Sequence, residues 1–414
     1  MKKLILFVLL SVACISCREA LFSSVPRSFS GYSRQNTGSR QPDVQDEEIS
    51  EDDQQRVPDI YATAICFPLG TDWREGDTAE GEVVIFKNGR VHLRVPATDP
   101  PDPDRHRIIK GRLWTDSCDG HEVALQCDGQ ELLRFAGDEV FRGFLVVNNT
   151  LFTLGQRQGR DGLCFRANGE LLFEAPTGTV LGGPADSEWE GGALTRDSSG
   201  VYYSYGIPYR KGDKLTWEYR VMNGADIVKT IPAGESDTVF DIKVKDGTVY
   251  RTEQKGSALH LIKDDTHITV DLGREKNAHL CKLVPVNGEL LIKGYSIQTS
   301  RAGTTFFTWF RDQSKAHYIV NSRYPLADIL TDGIHTANIA ENETGRIHSI
   351  YFDDVLQTIP ANRYTLTSGR CAQLHKDILA VALTSAEGNN HLLLHNNDTI
   401  SLNFNGYFTS VQIY

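Results

Sequence analysis

The chain has 414 residues, 23% charged and 40% hydrophobic, with 43 basic against 54 acidic residues and a formal net charge of −11. That is enough for one large domain or two ordinary ones, and it excludes a wholly disordered chain, a polytopic membrane protein and collagen. The acidic balance argues against a broad nucleic-acid footprint, so no nucleic-acid partner is expected.

The chain opens with Met1-Lys2-Lys3, and residues 4–15 are almost continuously apolar. This run is short for a bilayer span and fits the core of a signal peptide. Its end, Ser16-Cys17, resembles the lipobox of bacterial lipoproteins. The resemblance implies cleavage after Ser16 and a lipid on Cys17. Cys14-Ile15 departs from the usual Leu at the earlier position, and Cys14 after Ala13 is a second candidate. Cys17-Arg18-Glu19 has no Asp after the cysteine, which by the same resemblance points to the outer membrane, on its periplasmic or surface-exposed face.

Residues 23–58 are polar and lack periodicity. Asp43, Asp46, Glu47, Glu48, Glu51, Asp52 and Asp53 crowd one short window. Such a stretch cannot bury enough apolar surface to offset its ordering. The expected division is a signal peptide at 1–16, a flexible acidic tether at 17–58 and a folded domain at 59–414.

In the folded part, one hairpin type recurs: an apolar strand, a turn pair, then an alternating strand. Examples are VVIFKNGRVHLRV at 83–95, GLCFRANGELLFEA at 162–175 and HLLLHNNDTISLNF at 391–404. The turns begin at 88, 128, 168, 223, 264, 312, 353 and 396, at spacings of 40, 40, 55, 41, 48, 41 and 43 residues. Asn-Gly and Asp-Gly suit two-residue hairpin turns, which need positive φ at both central positions. A second turn set, including Asn148-Asn149, Asp246-Gly247 and Asn287-Gly288, falls between them.

Four strands per period is the unit of a β-propeller. The expected fold is therefore all-β, a propeller of four-stranded antiparallel blades. Eight blades fit best; seven is the alternative, because the region 82–135 is compressed. Residues 61–67 and 406–414 each read as a strand without a hairpin partner. Their pairing would close the ring and remove two costly edges. The pattern over 61–414, with the Lys-Lys start and Ser-Cys, resembles β-propeller lipoproteins of Bacteroidetes from families without assigned function. That resemblance implies a periplasmic or surface protein.

Function should sit on the longer loops. At 70–81, Trp73 and Arg74 offer an aromatic face and a cation; the alternative is a ring folded back over the first blade. At 177–192, Glu188, Trp189 and Glu190 could stack on a sugar and accept its hydroxyl hydrogen bonds, or Trp189 could cap a blade interface. Tyr209, Arg210, Arg323 and Tyr324 could meet an acidic glycan or a peptide carboxylate, or be solvated cations over packed rings. Asp99, Asp102 and Asp104 are weak calcium candidates, since the EF-hand spacing is absent.

Catalysis would need a pair such as Glu190 with Asp237 for a glycosidase, or Tyr324 with Arg323 for a lyase. No nucleophile elbow, HExxH or phosphate-binding glycine pattern occurs, so no cofactor is expected. Six cysteines remain after the tether. Cys118 and Cys127 are close enough in sequence to bridge neighbouring strands, no CxxC occurs among these six, and no metal site is expected. His391 and His395 share a strand face among leucines, which suits packing. The reading that results is a lipid-anchored envelope protein binding a protein partner or extracellular glycan. The alternative is a polysaccharide-active hydrolase or lyase with an axial site.

Overall fold

A computed structural model describes residues 58–74, 81–97, 105–109, 111–118, 121–157, 162–183, 191–234, 237–270, 278, 280–286, 289–298, 303–310, 317–321, 326–331, 334–342, 344–375, 377–396 and 398–414. Eight antiparallel sheets follow one another along the chain and form an eight-bladed β-propeller. The compressed region does hold a blade. Its innermost strand, His106–Ile109, is only four residues long, which is why the sequence marks it poorly.

Blade 1 is built from both ends of the domain. Gly406–Ile413 is its innermost strand and pairs with Ile60–Cys66, followed by Glu82–Lys87 and Arg90–Pro96. Ile413 lies opposite Ile60 and Gly406 opposite Cys66. Gly406 must be glycine, because a Cβ there would fall 1.9 Å from the Ile65 carbonyl oxygen. Asp59 and Tyr414 exchange backbone hydrogen bonds of 2.7 and 2.9 Å beyond the last pair.

The turn between third and fourth strands explains the Asn and Asp spacing. Asn88-Gly89, Asp128-Gly129 and Asn168-Gly169 all have positive φ at both positions. The first turn residue also clamps the start of the blade's second strand. The backbone N–H of Asn88 donates to the Ile60 carbonyl, and its Oδ1 accepts from the Ile60 N–H at 2.8 Å. The same pairs join Asp128 to Leu113, Asn168 to Leu151, Asp264 to Val249, Asp353 to Thr336 and Asn396 to Leu379. Glycine could make the turn but not supply the acceptor. Asn396→Ala is therefore expected to lose about 2–4 kcal/mol in urea unfolding, from an unsatisfied N–H and a strained φ. Asn396→Asp should lose under about 1 kcal/mol. Equal losses would dismiss the clamp.

Both faces of each blade are buried against neighbours, so the second strands are nearly all apolar. Every residue of Ile60–Cys66 is buried. Ile60, Ala62 and Ala64 pack with Ile378, Ala380 and Ala382 of blade 8, whereas Tyr61 packs with Ile108 and Leu113 of blade 2. Comparable cores join blades 2 to 3, 3 to 4, 4 to 5, 5 to 6 and 7 to 8. No described helix is long and apolar enough to cross a membrane.

Candidate functional site

The tight turns and the two ends of the described domain gather on one face. The loops between second and third strands, and those between blades, gather on the other. Of the candidate residues, Trp73, Arg74, Tyr209 and Arg210 are described; Glu188, Trp189, Glu190, Arg323 and Tyr324 lie outside the described residues, as do Cys17 and Asp99, Asp102 and Asp104.

Trp73 and Arg74 sit on the loop face over the seam between blades 1 and 8. The Trp73 ring lies 5.1 Å from that of Tyr407, and the Arg74 guanidinium stacks 4.2 Å above Trp73. Arg74 Nη2 donates to the carbonyls of Ser385 and Gly388 at 3.1 and 2.8 Å. Asn405 Nδ2 donates to the carbonyls of Pro68 and Thr71. The segment 67–74 is thus a strap across the closure, and both candidate side chains are engaged in it.

His391 braces the same strap from below. Its Nδ1 accepts from the Ser385 N–H at 2.9 Å, and its Nε2 meets the Phe404 carbonyl at 3.0 Å, so Nε2 carries the proton. Its ring stacks on Phe404 at 4.0 Å. Burial pushes its pKa down to about 4, with the Arg74 charge adding to the effect against the Phe404 bond. As pH falls from 6.5 towards 4, the unfolded imidazole takes up a proton that the folded one refuses. Stability should therefore fall by up to about 3 kcal/mol over that window and level off below it. His391→Gln should flatten the pH profile of Tm between those limits. A profile as steep as wild type would rule out this role.

Tyr209 and Arg210 sit on a different feature. The second and third strands of blade 4, Gly200–Lys211 and Lys214–Asn223, are paired from Tyr202–Asn223 to Lys211–Lys214. Their neighbours stop earlier, at Val180 opposite Gly206 and at Ala233 opposite Trp217. Residues 209–216 therefore stand beyond the blade as a two-stranded arm. Tyr209 and Arg210, expected on a loop, lie on paired strands; only Gly212 and Asp213 form the turn, with Gly212 at φ 67°. Pro208 is tolerated because its register directs the missing N–H away from the partner strand. Tyr209 is 44% and Leu215 53% exposed. Arg210 is exposed and makes no hydrogen bond or ion pair with a described residue.

Arg210 lies opposite Leu215, Pro208 opposite Trp217 and Gly206 opposite Tyr219, so these side chains share one arm face. The rings of Trp217 and Tyr219 stack at 6.3 Å and 26°. They cover the bare Cα of Gly206, where a Cβ would lie 2.9 Å from Tyr219 and 3.2 Å from Trp217. This face turns to blade 5, since Tyr219 packs with the core shared by Val221, Ile242 and Val249. On blade 5, Glu253 receives Arg251 Nε at 2.9 Å and Lys255 Nζ at 3.0 Å. Burial raises the Glu253 pKa, but these cations outweigh it and hold the carboxyl below its ordinary value. Burial and the Glu253 charge push the Tyr219 phenol up. Sequence reading missed Trp217, Tyr219, Leu215 and Lys255, because strand alternation absorbed them into blades.

The cysteines do not bridge. Cys118 pairs with Val123 and Cys127 with Trp114, at opposite ends of adjacent strands, and none of the six described cysteines is in a disulfide. The expected proximity fails because the intervening residues turn back and run the length of the next strand. Burial raises Cys66 to about 12 and Cys127, Cys164 and Cys371 to about 11, which leaves protonated, unreactive thiols. Asp237 is engaged by the Gly234 N–H at 3.1 Å.

No protein-family model and no curated protein sequence matches the chain. Among solved structures, it is similar to dihydro-heme d1 dehydrogenase NirN, at 12% identity and TM-score 0.49, covering 85% of this chain and 74% of that one. It is also similar to BamB from Moraxella catarrhalis, at 11% identity and TM-score 0.42, covering 74% and 89%. A third is the β-propeller domain of the Trilobed protease from Pyrococcus furiosus, at 10% identity and TM-score 0.43, covering 74% and 95%.

Proposed function

We propose that this is a lipid-anchored envelope protein whose loop face docks a protein partner through the blade 4 arm. The observation that carries the reading is the arm itself, residues 209–216, paired only to each other. Isolated two-stranded ribbons are marginal in water, and this one presents Tyr209, Arg210 and Leu215 to solvent. Exposed aromatic, arginine and apolar side chains on a rigid projection have the composition of an interface anchor. A glycan would favour planar polar groups around the ring rather than an exposed leucine. The lipid on Cys17 would tether the domain through residues 17–58, which join it on the tight-turn face beside Tyr414. The arm would then point away from the point of attachment.

Photoreactive phenylalanine at position 209 or 215 in living cells tests the docking. One adduct of defined mass is expected at both positions and none at position 131 on the rim of blade 2. Equal labelling at all three, or none on the arm, would overturn the reading. Labelled palmitate should enter the wild type and Cys14→Ser but not Cys17→Ser.

A further inference from the structure

We propose that the partner contributes an extended acidic segment, laid in the trough between the blade 4 arm and blade 5. This rests on the docking reading above and names the chemistry of what docks. One wall of the trough is the arm face with Pro208, Trp217 and Leu215, and Arg210 at its tip. The other is the second strand of blade 5, Thr248–Lys255, whose Arg251, Glu253 and Lys255 alternate along one face.

Charge decides the occupant. Two carboxylates belong to that wall: Glu253, already held by two cations, and Asp237, the register partner of Lys255, which accepts from the Gly234 N–H. Lys255 remains 42% exposed at its side chain. Arg210 has no partner among the described residues, so its guanidinium is open to an incoming anion. Lys214 lies on the other face of the arm, beside Asp213 at the turn. On the trough side Arg210, Arg251 and Lys255 face Glu253 and Asp237, so Arg210 leaves the mouth with a positive excess on a protein whose net charge is −11. Between these cations lie the half-buried Trp217 and Pro208. An acidic peptide with an interspersed apolar side chain matches this order: carboxylates towards Arg210 and Lys255, the apolar group towards Trp217. A basic segment meets repulsion at Arg210.

The test uses the whole protein and three fluorescein-labelled probes: a peptide of repeating Glu-Glu-Tyr, its Lys-Lys-Tyr counterpart, and oligogalacturonate. Anisotropy should show saturable binding of the Glu peptide, weakening as salt is raised, and none of the Lys peptide. Arg210→Glu, at an exposed tip where folding is not at issue, should weaken the Glu peptide at least about tenfold and admit the Lys peptide. Trp217→Ala should weaken the Glu peptide without a change in charge preference. Failure of the Glu peptide to bind, equal binding of both peptides, or binding unchanged by Arg210→Glu overturns the proposal. Oligogalacturonate binding in its place assigns the trough to an anionic glycan instead. If photo-adducts persist at 209 and 215 while the Glu peptide fails, docking stands and the acidic assignment falls.

Discussion

Removing residues 406–414 is expected to unfold the whole domain rather than fray its end. Three buried apolar side chains leave with the strand, Phe408, Val411 and Ile413, each at most 6% exposed. Their transfer out of water is worth about 1.5–3 kcal/mol apiece. Their loss alone approaches the ~5–15 kcal/mol that holds a typical domain together. Cross-links to three parts of the molecule vanish too. Phe408 N–H donates to Thr384 Oγ1 at 3.0 Å, Thr409 Oγ1 to the Thr63 carbonyl at 3.3 Å, and Tyr414 OH to the Ile108 carbonyl at 2.9 Å. The strand Ile60–Cys66 would then expose an apolar edge, inviting aggregation. Thermal melting and light scattering of the truncated chain provide the measurement. Adding the peptide 406–414 in trans should restore part of the transition. A truncated protein that melts within a few degrees of wild type and stays monomeric would dismiss the closure as a structural necessity.

The blade number was legible because six described third-to-fourth turns take a positive φ and a side-chain acceptor at one residue, leaving Asn or Asp on a fixed period. Asn223 is the informative departure. The two-residue loop of blade 4 moves to Gly224 and Ala225, Gly224 N–H reaches the Val201 carbonyl, and Asn223 Nδ2 donates to the Ser199 carbonyl instead. The period survives there although the clamp does not. Innermost strands were less legible, because an axis leaves room for little side-chain signal. Blade 2 uses four residues, and blade 4 splits its strand into Val180–Leu181 and Thr195–Asp197.

Site residues were hardest to read, for a reason visible at Trp73 and Tyr209. Both are aromatics beside a cation in Gly-rich stretches, and local sequence cannot tell them apart. Trp73 meets Tyr407, and Arg74 meets Ser385 and Gly388, more than 300 positions away. Only the ring closure brings these together. Tyr209 meets its own hairpin partner, Thr216, and little beyond it. Pro208 and Gly212-Asp213 made the arm look like a loop, whereas a proline whose N–H faces outward and a two-residue turn are compatible with a continuous ribbon.

Breaking the buried pair Glu139–Arg166 should be the most damaging side-chain change described here. Glu139 is 1% exposed, at the start of the innermost strand of blade 3, Glu139–Val147. Arg166 lies on the third strand of the same blade, with Nη2 at 2.7 Å from Glu139 Oε1 and Nε at 3.1 Å from Oε2. Its guanidinium also covers the Phe135 ring at 4.3 Å and donates to the Gly169 carbonyl. Gly155 packs on the Glu139 stem, where a Cβ would come within 2.8 Å of the glutamate Cβ. Arg166→Met therefore leaves a buried carboxylate without its arginine, at a cost of about 3–5 kcal/mol. Glu139→Gln should cost less, because the arginine keeps the ring and the carbonyl. The double variant Glu139→Leu, Arg166→Met should be more stable than Arg166→Met alone, since neither charge then remains. Urea unfolding of the three variants measures the effect. Additive losses in the double variant would mean that packing rather than the ion pair secures the Glu139–Arg166 corner of blade 3.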